Sequence, residues 1–99
     1  MSYHVRFTPE AQADIERLYD FLVQEDVRAA EKALNIIERA FGFLEEFPFS
    51  CRRVDGGDPF LRELLISFGQ SGYVALFEVE GHEIVTVLAV RHQREEDYL

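Results

Sequence analysis

The sequence predicts a single α+β domain over residues 1–99, in which a twisted antiparallel sheet carries an N-terminal antiparallel helix hairpin on one face. A length of 99 residues suits one domain with one core. Apolar residues recur with the period of a strand at the start of the chain and in its second half, and with the period of a helix in two segments between. These observations predict the element order β-α-α-β-β-β.

The chain begins with a predicted strand and a predicted helix. Residues 3–7 alternate apolar and polar side chains, which is typical of a strand with one buried face. Thr8 can cap a helix, Pro9 suits the first helical position, and Glu10 complements the positive end of the helix dipole. The helix should run to about residue 24 with these apolar residues on one face: Ala11, Ile15, Leu18, Tyr19 and Leu22.

A second helix is predicted between Asp26, a suitable N-cap, and Pro48, which ends it. Its apolar positions keep the helical period: Ala30, Ala33, Leu34, Ile37, Phe41 and Leu44. Gly42 inside this helix costs up to about 1 kcal/mol relative to alanine, which predicts a close approach or a late bend there. The short connection between the helices predicts an antiparallel hairpin.

The second half of the chain is predicted as a loop followed by an antiparallel meander. Residues 50–53 and 55–59 carry turn formers and few apolar groups, which indicates the loop. Three strands are predicted at residues 60–66, 73–79 and 84–91, separated by turn-rich segments. The last is apolar on both faces, so we expect it near the centre of the sheet with helices over one side.

Charge and cysteine content exclude several classes of protein. Ten basic and nineteen acidic residues give a net charge of −9, and Lys32 is the only lysine, which argues against specific DNA binding by the chain alone. Cys51 is the single cysteine, so no intramolecular disulfide forms and a reducing compartment is expected. No apolar run is long enough for a membrane span, and the chain starts without a signal peptide, so we expect a cytoplasmic protein.

No metal site or cofactor is predicted. His4, His82, His92 and Cys51 do not occur at an interval that brings two ligands together, and the glycines lack the context of a phosphate-binding loop. Cys51 next to Arg52 and Arg53 is the one candidate nucleophile. The preferred interpretation is an ordinary loop thiol.

Cations concentrate at the end of the last predicted strand. Strand alternation predicts a polar patch formed by four residues: Arg62, Tyr73, Arg91 and His92. In such a patch the histidine can act as an acid or base, arginine can hold a phosphate, and tyrosine can stack on a base. The alternative interpretation is structural. Arg91 and Arg94 would then pair with the acidic residues at 95–97, while Tyr98 would pack the tail onto the core.

The sequence resembles the ParE branch of the RelE/ParE toxins of bacterial toxin-antitoxin systems over almost its whole length. No single motif is specific, but the ordered set is: Val-Arg-Phe-Thr-Pro-Glu-Ala at 5–11, Glu-Phe-Pro at 46–48, Leu-Arg-Glu-Leu at 61–64, Ser-Gly-Tyr at 71–73 and Val-Leu-Ala-Val-Arg-His at 87–92. The resemblance implies the same β-α-α-β-β-β arrangement that the periodicity predicts.

The resemblance also implies a partner and a target. A ParD-type antitoxin would mask the toxin in a hetero-oligomer by laying its C-terminal segment along the helices and sheet. ParE-like toxins poison DNA gyrase by binding, whereas RelE-like relatives cut messenger RNA on the ribosome. We expect the helix hairpin and the C-terminal strand with its tail to form the antitoxin groove. The predicted partner-binding residues are Arg62, Tyr73, Arg91, His92, Arg94 and Tyr98.

The sequence favours gyrase inhibition over ribonuclease activity. RNA cleavage needs cations that stabilise the charged transition state. The residue after Tyr73 is Val74, where the RelE pattern and many ParE sequences have arginine, and the lysine-rich middle strand of RelE-like enzymes is represented only by Arg62. We therefore predict no catalytic residues. Two alternatives stay open: an inactivated relative that only binds its partner, and a ribonuclease that uses Arg62, Arg91, His92, Arg94 and Tyr98.

Overall fold

The computed structural model describes residues 2–54 and 56–93. The elements in chain order are β1 (His4–Phe7), α1 (Pro9–Glu25), α2 (Val27–Leu44), a 3-10 turn (Pro48–Ser50), β2 (Arg52–Arg53), β3 (Leu61–Phe68), β4 (Ser71–Glu80) and β5 (Ile84–His92). This arrangement confirms the predicted α+β class and the helix hairpin. No helix in the described ranges is long and apolar enough to cross a membrane.

The sheet has the order β1-β5-β4-β3-β2. Strands β3, β4 and β5 form the predicted antiparallel meander, with β5 inside the sheet. However, β1 pairs with β5 in parallel, with Val5 opposite Val85, so the sheet is mixed where an antiparallel one was predicted. No tight turn joins these two strands. Their relative direction therefore depends on where the helix hairpin returns the chain, which local sequence does not encode.

The short strand β2 lies in a segment that was predicted as loop. Arg52 and Arg53 pair with Glu63 and Arg62 of β3, and the Arg52 Nε donates to Glu63 Oε1 at 2.9 Å. The composition of this segment predicts irregular backbone. The strand pairing there is accompanied by an ion pair between the side chains of Arg52 and Glu63.

The helices begin at the predicted caps. The Thr8 hydroxyl accepts a hydrogen bond from the Ala11 amide at 3.0 Å, and the Asp26 carboxylate accepts from the Arg28 amide at 2.9 Å. Helix α2 ends at Leu44, two residues after Gly42. A Cβ at Gly42 would meet nothing within 4 Å, so of the two expected features, a close approach or a late bend, the close approach does not occur.

The core lies between the helix hairpin and one face of the sheet. The side chains on this face of β4 are each at most 3% exposed: Tyr73, Ala75, Phe77 and Val79. Leu76 pairs with Ala89 but Phe77 pairs with Val87, so Leu88 is an extra residue in a β-bulge. The bulge shifts the alternation of β5. Because of this shift, Val87 and Val90 both join the core although they are three positions apart. The bulge therefore accounts for part of the continuous apolar run in this strand.

Candidate functional site

Tyr73 and His92 lie side by side at one end of the sheet, as predicted. They are register partners on β4 and β5, and their ring centroids are 5.7 Å apart with perpendicular planes. The Ser71 Oγ and the His92 Nε2 are hydrogen-bonded at 3.1 Å, and the Gln93 side-chain amide donates to the Tyr73 carbonyl at 3.1 Å. These contacts hold the imidazole at the point where β5 ends.

The Tyr73 ring belongs to the core. It is 2% exposed and stacks on Phe68 with a centroid distance of 6.0 Å, and burial raises the pKa of its phenol. A ring in this position is not accessible for stacking on a nucleobase. Of the pair, His92 is the partly exposed member and the group that faces solvent.

Arg91 is held by α1. Its guanidinium pairs with the Asp14 carboxylate, and the Val90 amide donates to the same carboxylate oxygen, Oδ2, at 3.0 Å. The side chains of Asp14 and Arg91 are only 14% and 16% exposed. The carboxylate thus balances the charge that would otherwise attract a phosphate. Asp14 was not among the predicted site residues, since only the tertiary structure brings α1 to this part of β5.

Arg62 does not join Tyr73, Arg91 and His92. It lies opposite Phe77, four positions along β4 from Tyr73, which corresponds to about 13 Å. The predicted four-residue patch is therefore incorrect in this respect, because antiparallel pairing places the start of β3 against the far half of β4.

The guanidinium of Arg62 organises the segment before β3. It donates to the carbonyls of Pro59 at 2.8 Å, Cys51 at 2.9 Å and Phe49 at 3.3 Å. Its central carbon lies 5.1 Å from the centroid of the Phe49 ring. These contacts engage Nε and Nη1, so each of the two bidentate edges of the guanidinium, Nε–Nη2 and Nη1–Nη2, has one donor already bonded to a carbonyl. The two remaining predicted site residues, Arg94 and Tyr98, lie outside the described residues.

A second polar network lies at the β1 edge of the sheet and was missed by sequence reasoning. Arg6 donates to Glu80 at 3.1 Å and to the Thr86 hydroxyl at 3.0 Å, and that hydroxyl donates to Glu80. Hydrogen bonds from Thr86 and then Arg6 lower the pKa of Glu80. The only signal in the sequence is that Arg6 alternates with Val5 and Phe7. The partners depend on the parallel register of β1 and β5.

Cys51 is not an activated thiol. Burial raises the pKa of its thiol to about 11, an effect that the nearby Arg62 charge opposes only in part. Its neighbour Arg52 is engaged with Glu63. Within residues 2–54 and 56–93, no three His, Cys, Asp or Glu side chains are placed to hold a metal ion.

Three comparisons relate this chain to known proteins. Residues 5–97 match the family described as "ParE toxin of type II toxin-antitoxin system, parDE". The Toxin RelE1 of Caulobacter vibrioides is 36% identical over 84 residues, which cover 85% of this chain and 87% of that protein. A chain from a solved structure titled "Chromosomal ParDE TA system from P. aeruginosa" superimposes with a TM-score of 0.72 at 22% identity, covering 92% of this chain and 96% of that one.

Proposed function

This chain belongs to the ParE toxin family of type II toxin-antitoxin systems, and from that premise we propose that it inhibits DNA gyrase by binding, without catalytic chemistry of its own. The proposed neutralising partner is a ParD-type antitoxin, with which the toxin forms a hetero-oligomer. The cytoplasm, where such a target resides, is the proposed place of action.

The observation that carries this proposal is the engagement of the two described arginines that a ribonuclease would use. Arg91 pairs with Asp14, and Arg62 donates to three backbone carbonyls. A nuclease needs cations that are preorganised around one phosphate and available to it. These two are held apart and face protein groups, which supports a toxin that acts through its surface.

Val74 supports the same conclusion. It is the register partner of Arg91, so a side chain at position 74 lies beside Arg91 on the same face of the sheet. An arginine there would place two guanidinium groups together, as phosphate binding requires. With valine, position 74 adds no cation beside Arg91, whose guanidinium pairs with Asp14.

The test is plasmid supercoiling by purified gyrase in the presence of increasing amounts of this protein. The expected result is loss of supercoiled product with accumulation of linear DNA trapped in cleavage, both reversed when the antitoxin is added. A cooperative thermal transition monitored by circular dichroism establishes beforehand that the added protein is folded. Full supercoiling in the presence of folded protein would contradict the proposal.

Ribosome-dependent RNA cleavage is the second candidate, and one observation favours it. His92 is partly exposed and hydrogen-bonded to Ser71, which places at the sheet end an imidazole, the side chain that enzymes most often use as a general acid or base. Translating ribosomes incubated with this protein should leave their message intact if gyrase is the target. Message cleavage that disappears with Arg91→Ala or Tyr98→Phe would establish the enzyme instead.

A further inference from the structure

Two arginines lie directly opposite each other where β2 meets β3. Arg53 and Arg62 are register partners, so their side chains share one face of the sheet. Like charges in directly opposed positions destabilise a strand pair. The chain has nineteen acidic residues, yet within the described ranges neither guanidinium forms an ion pair. An anionic group from another molecule would therefore be stabilised between these two side chains.

The other arginine of β2 shows what strand pairing by itself would favour. Arg52 lies opposite Glu63, and its Nε donates to the Glu63 carboxylate at 2.9 Å. A carboxylate at position 53 would form a second cross-strand ion pair, with Arg62. Stability of the sheet therefore does not account for an arginine at position 53, and a local rule broken in this way is typical of a functional position.

Two exposed phenylalanine rings adjoin this pair of cations. The central carbon of the Arg62 guanidinium lies 5.1 Å from the centroid of the Phe49 ring. The Phe49 and Phe60 rings meet edge to face with their centroids 6.0 Å apart, and the two residues are 44% and 47% exposed. Phe49, Arg53, Phe60 and Arg62 thus form one continuous surface, which we call the Arg–Phe patch.

Hydrogen bonds hold the Arg–Phe patch in place before any partner arrives. Arg62 donates to three carbonyls of the preceding segment, one of them that of Phe49. The Asp58 carboxylate accepts the Phe60 amide at 2.8 Å. Because the backbone that carries both rings is fixed, little conformational entropy remains to be lost when a partner binds.

The composition of the patch favours a protein as its partner. Aromatic residues and arginine are enriched at the centres of protein interfaces, where they dominate the binding energy. A nucleic acid also carries anions, but the net charge of −9 opposes the approach of a polyanion to this chain. The complementary surface is therefore a protein surface that presents a carboxylate beside an apolar side chain.

A second copy of this chain does not provide that surface. In a two-fold dimer the same patch meets itself, which would bring the guanidinium groups of both copies together. The four residues of the patch include no carboxylate to separate them. The net charge of each copy opposes this association further.

We propose that the Arg–Phe patch is a contact surface for DNA gyrase. A gyrase carboxylate lies between Arg53 and Arg62, and an apolar gyrase side chain packs on Phe49 and Phe60. This contact relieves the repulsion between the two arginines and covers both rings in one step. The inference rests on the proposed function, in which the chain inhibits gyrase by binding.

Charge reversal at position 53 is the sharpest test, because the expected effects on stability and on inhibition have opposite signs. Arg53→Glu replaces a like-charge pair with an ion pair to Arg62, so the midpoint of thermal unfolding should equal or exceed that of wild type. The concentration needed for half-maximal inhibition of supercoiling should nevertheless rise about tenfold or more.

The matched control is Arg28→Glu, which makes the same change in net charge. Arg28 is exposed in the first turn of α2, where a carboxylate suits the helix dipole. This variant should fold and inhibit gyrase like wild type. Equal loss of inhibition in the two variants would show that only net charge matters, and would overturn the assignment to the patch.

A second pair of variants tests the aromatic part of the patch. Phe60→Ala should raise the concentration for half-maximal inhibition about tenfold or more, since it removes one of the two exposed rings. Phe21→Ala removes a ring that is 62% exposed on α1 and should inhibit like wild type. Circular dichroism establishes that each variant unfolds cooperatively before inhibition is compared.

The outcomes distinguish this inference from the proposed function. Inhibition by wild type that Arg53→Glu and Phe60→Ala match would overturn the patch and leave gyrase as the target. Absence of inhibition by the folded wild type would overturn both. Variants that keep full inhibition but lose affinity for a ParD-type antitoxin would assign the patch to the antitoxin and overturn its assignment to gyrase.

Two further measurements address the other occupants. Fluorescence anisotropy with labelled single-stranded and duplex DNA should show no binding by the wild type alone. DNA binding that Arg53→Glu abolishes would show that the patch takes phosphate, and would overturn the assignment to a protein. Size-exclusion chromatography should show the same species for wild type and Phe60→Ala. A wild-type dimer that Phe60→Ala dissociates would assign the patch to a second copy and overturn the proposal.

Discussion

The carboxylate of Asp14 in α1 pairs with the guanidinium of Arg91 in β5 and accepts the Val90 amide at 3.0 Å. This contact closes a sheet edge. Strand β1 ends at Phe7, and beyond it the Thr8 amide donates to the Val87 carbonyl at 3.0 Å. Further along β5, the Asp14 carboxylate accepts the Val90 amide, a bond that a longer β1 would otherwise supply. One edge of the sheet is thus capped by the start of α1, whereas β3 has no strand paired on its outer side beyond Glu63 among the described residues.

Replacing Asp14 tests the strength of this cap. Asp14→Ala leaves the largely buried guanidinium of Arg91 and the Val90 amide without their acceptor, and should lower the free energy of unfolding by about 2 kcal/mol. Urea unfolding followed by circular dichroism measures the change. The matched control is Arg17→Ala, which removes an exposed partner whose Nη2 lies 4.0 Å from Asp14 Oδ1 and should cost less than about 0.5 kcal/mol. Equal losses for the two variants would contradict the assignment.

The network around Glu80 predicts a pH dependence of stability at acidic pH. Hydrogen bonds from Thr86 and Arg6 lower the pKa of Glu80 in the folded state below its ordinary value of 4.5. The ionised carboxylate therefore contributes stability that is present above the unfolded pKa and is lost as the pH falls through the folded one. Unfolding free energies of the wild type should fall more steeply below pH 4.5 than those of Glu80→Gln.

Glu78 supplies the control for this measurement. It lies two residues earlier on the same face of β4, and because the hydrogen bonds of Arg6 and Thr86 go to Glu80, Glu78→Gln makes the same chemical change with the network intact. A Glu80→Gln curve parallel to the wild-type curve over the whole acid range would show that the network contributes nothing to the linkage.

Cys51 should react slowly in the folded protein. With its pKa raised to about 11 by burial, the thiolate population near pH 8 is about a hundredfold smaller than that of an unperturbed cysteine. A thiol reagent that reports absorbance should therefore label the native chain at a correspondingly lower rate, and the urea-unfolded chain at the ordinary rate. Because Cys51 is the only thiol, the signal has one source. Native labelling as fast as unfolded labelling would refute the prediction.

Gly42 should tolerate alanine and gain stability from it. A Cβ there meets nothing within 4 Å, and alanine lowers the cost of ordering the helix by up to about 1 kcal/mol. Gly72→Ala is the contrasting variant. At a φ of +147° its Cβ would lie 2.0 Å from the Ile66 carbonyl oxygen, so the β3–β4 pairing must shift. Urea midpoints should move in opposite directions for the two variants, and a loss of stability in Gly42→Ala would contradict the open space seen at α2.

Local sequence signals predicted most of the fold. Thr8 and Asp26 are short polar residues placed just before apolar periodic segments, and both cap helices as expected. The meander follows from strand periodicity and from turn residues such as Gly69, whose φ of +63° suits a tight hairpin. Strand β2 was missed because its pairing depends on Glu63, a residue beyond the intervening loop.

The candidate site was predicted less completely than the fold. Strand alternation correctly placed Tyr73 beside His92, because neighbouring strands of a meander are linked by short turns that set their register. The same reasoning misplaced Arg62, whose Nε and Nη1 donate to carbonyls of the preceding segment. Nor did it predict the groove that Phe43 lines between α2 and β3, since the Phe43 side chain lies outside the helix face predicted to pack on the core.

The sequence by itself determined the class of fold, the helix caps, the meander and the resemblance to the ParE toxins, since each of these depends on residues close together in the chain or on motifs read in order. Tertiary structure decided the parallel pairing of β1, the neutralisation of Arg91, and the contrast between the two edges of the sheet. Asp14 and Val90 are 76 positions apart. A contact over that distance depends on the packing of the whole core, so no local pattern specifies it.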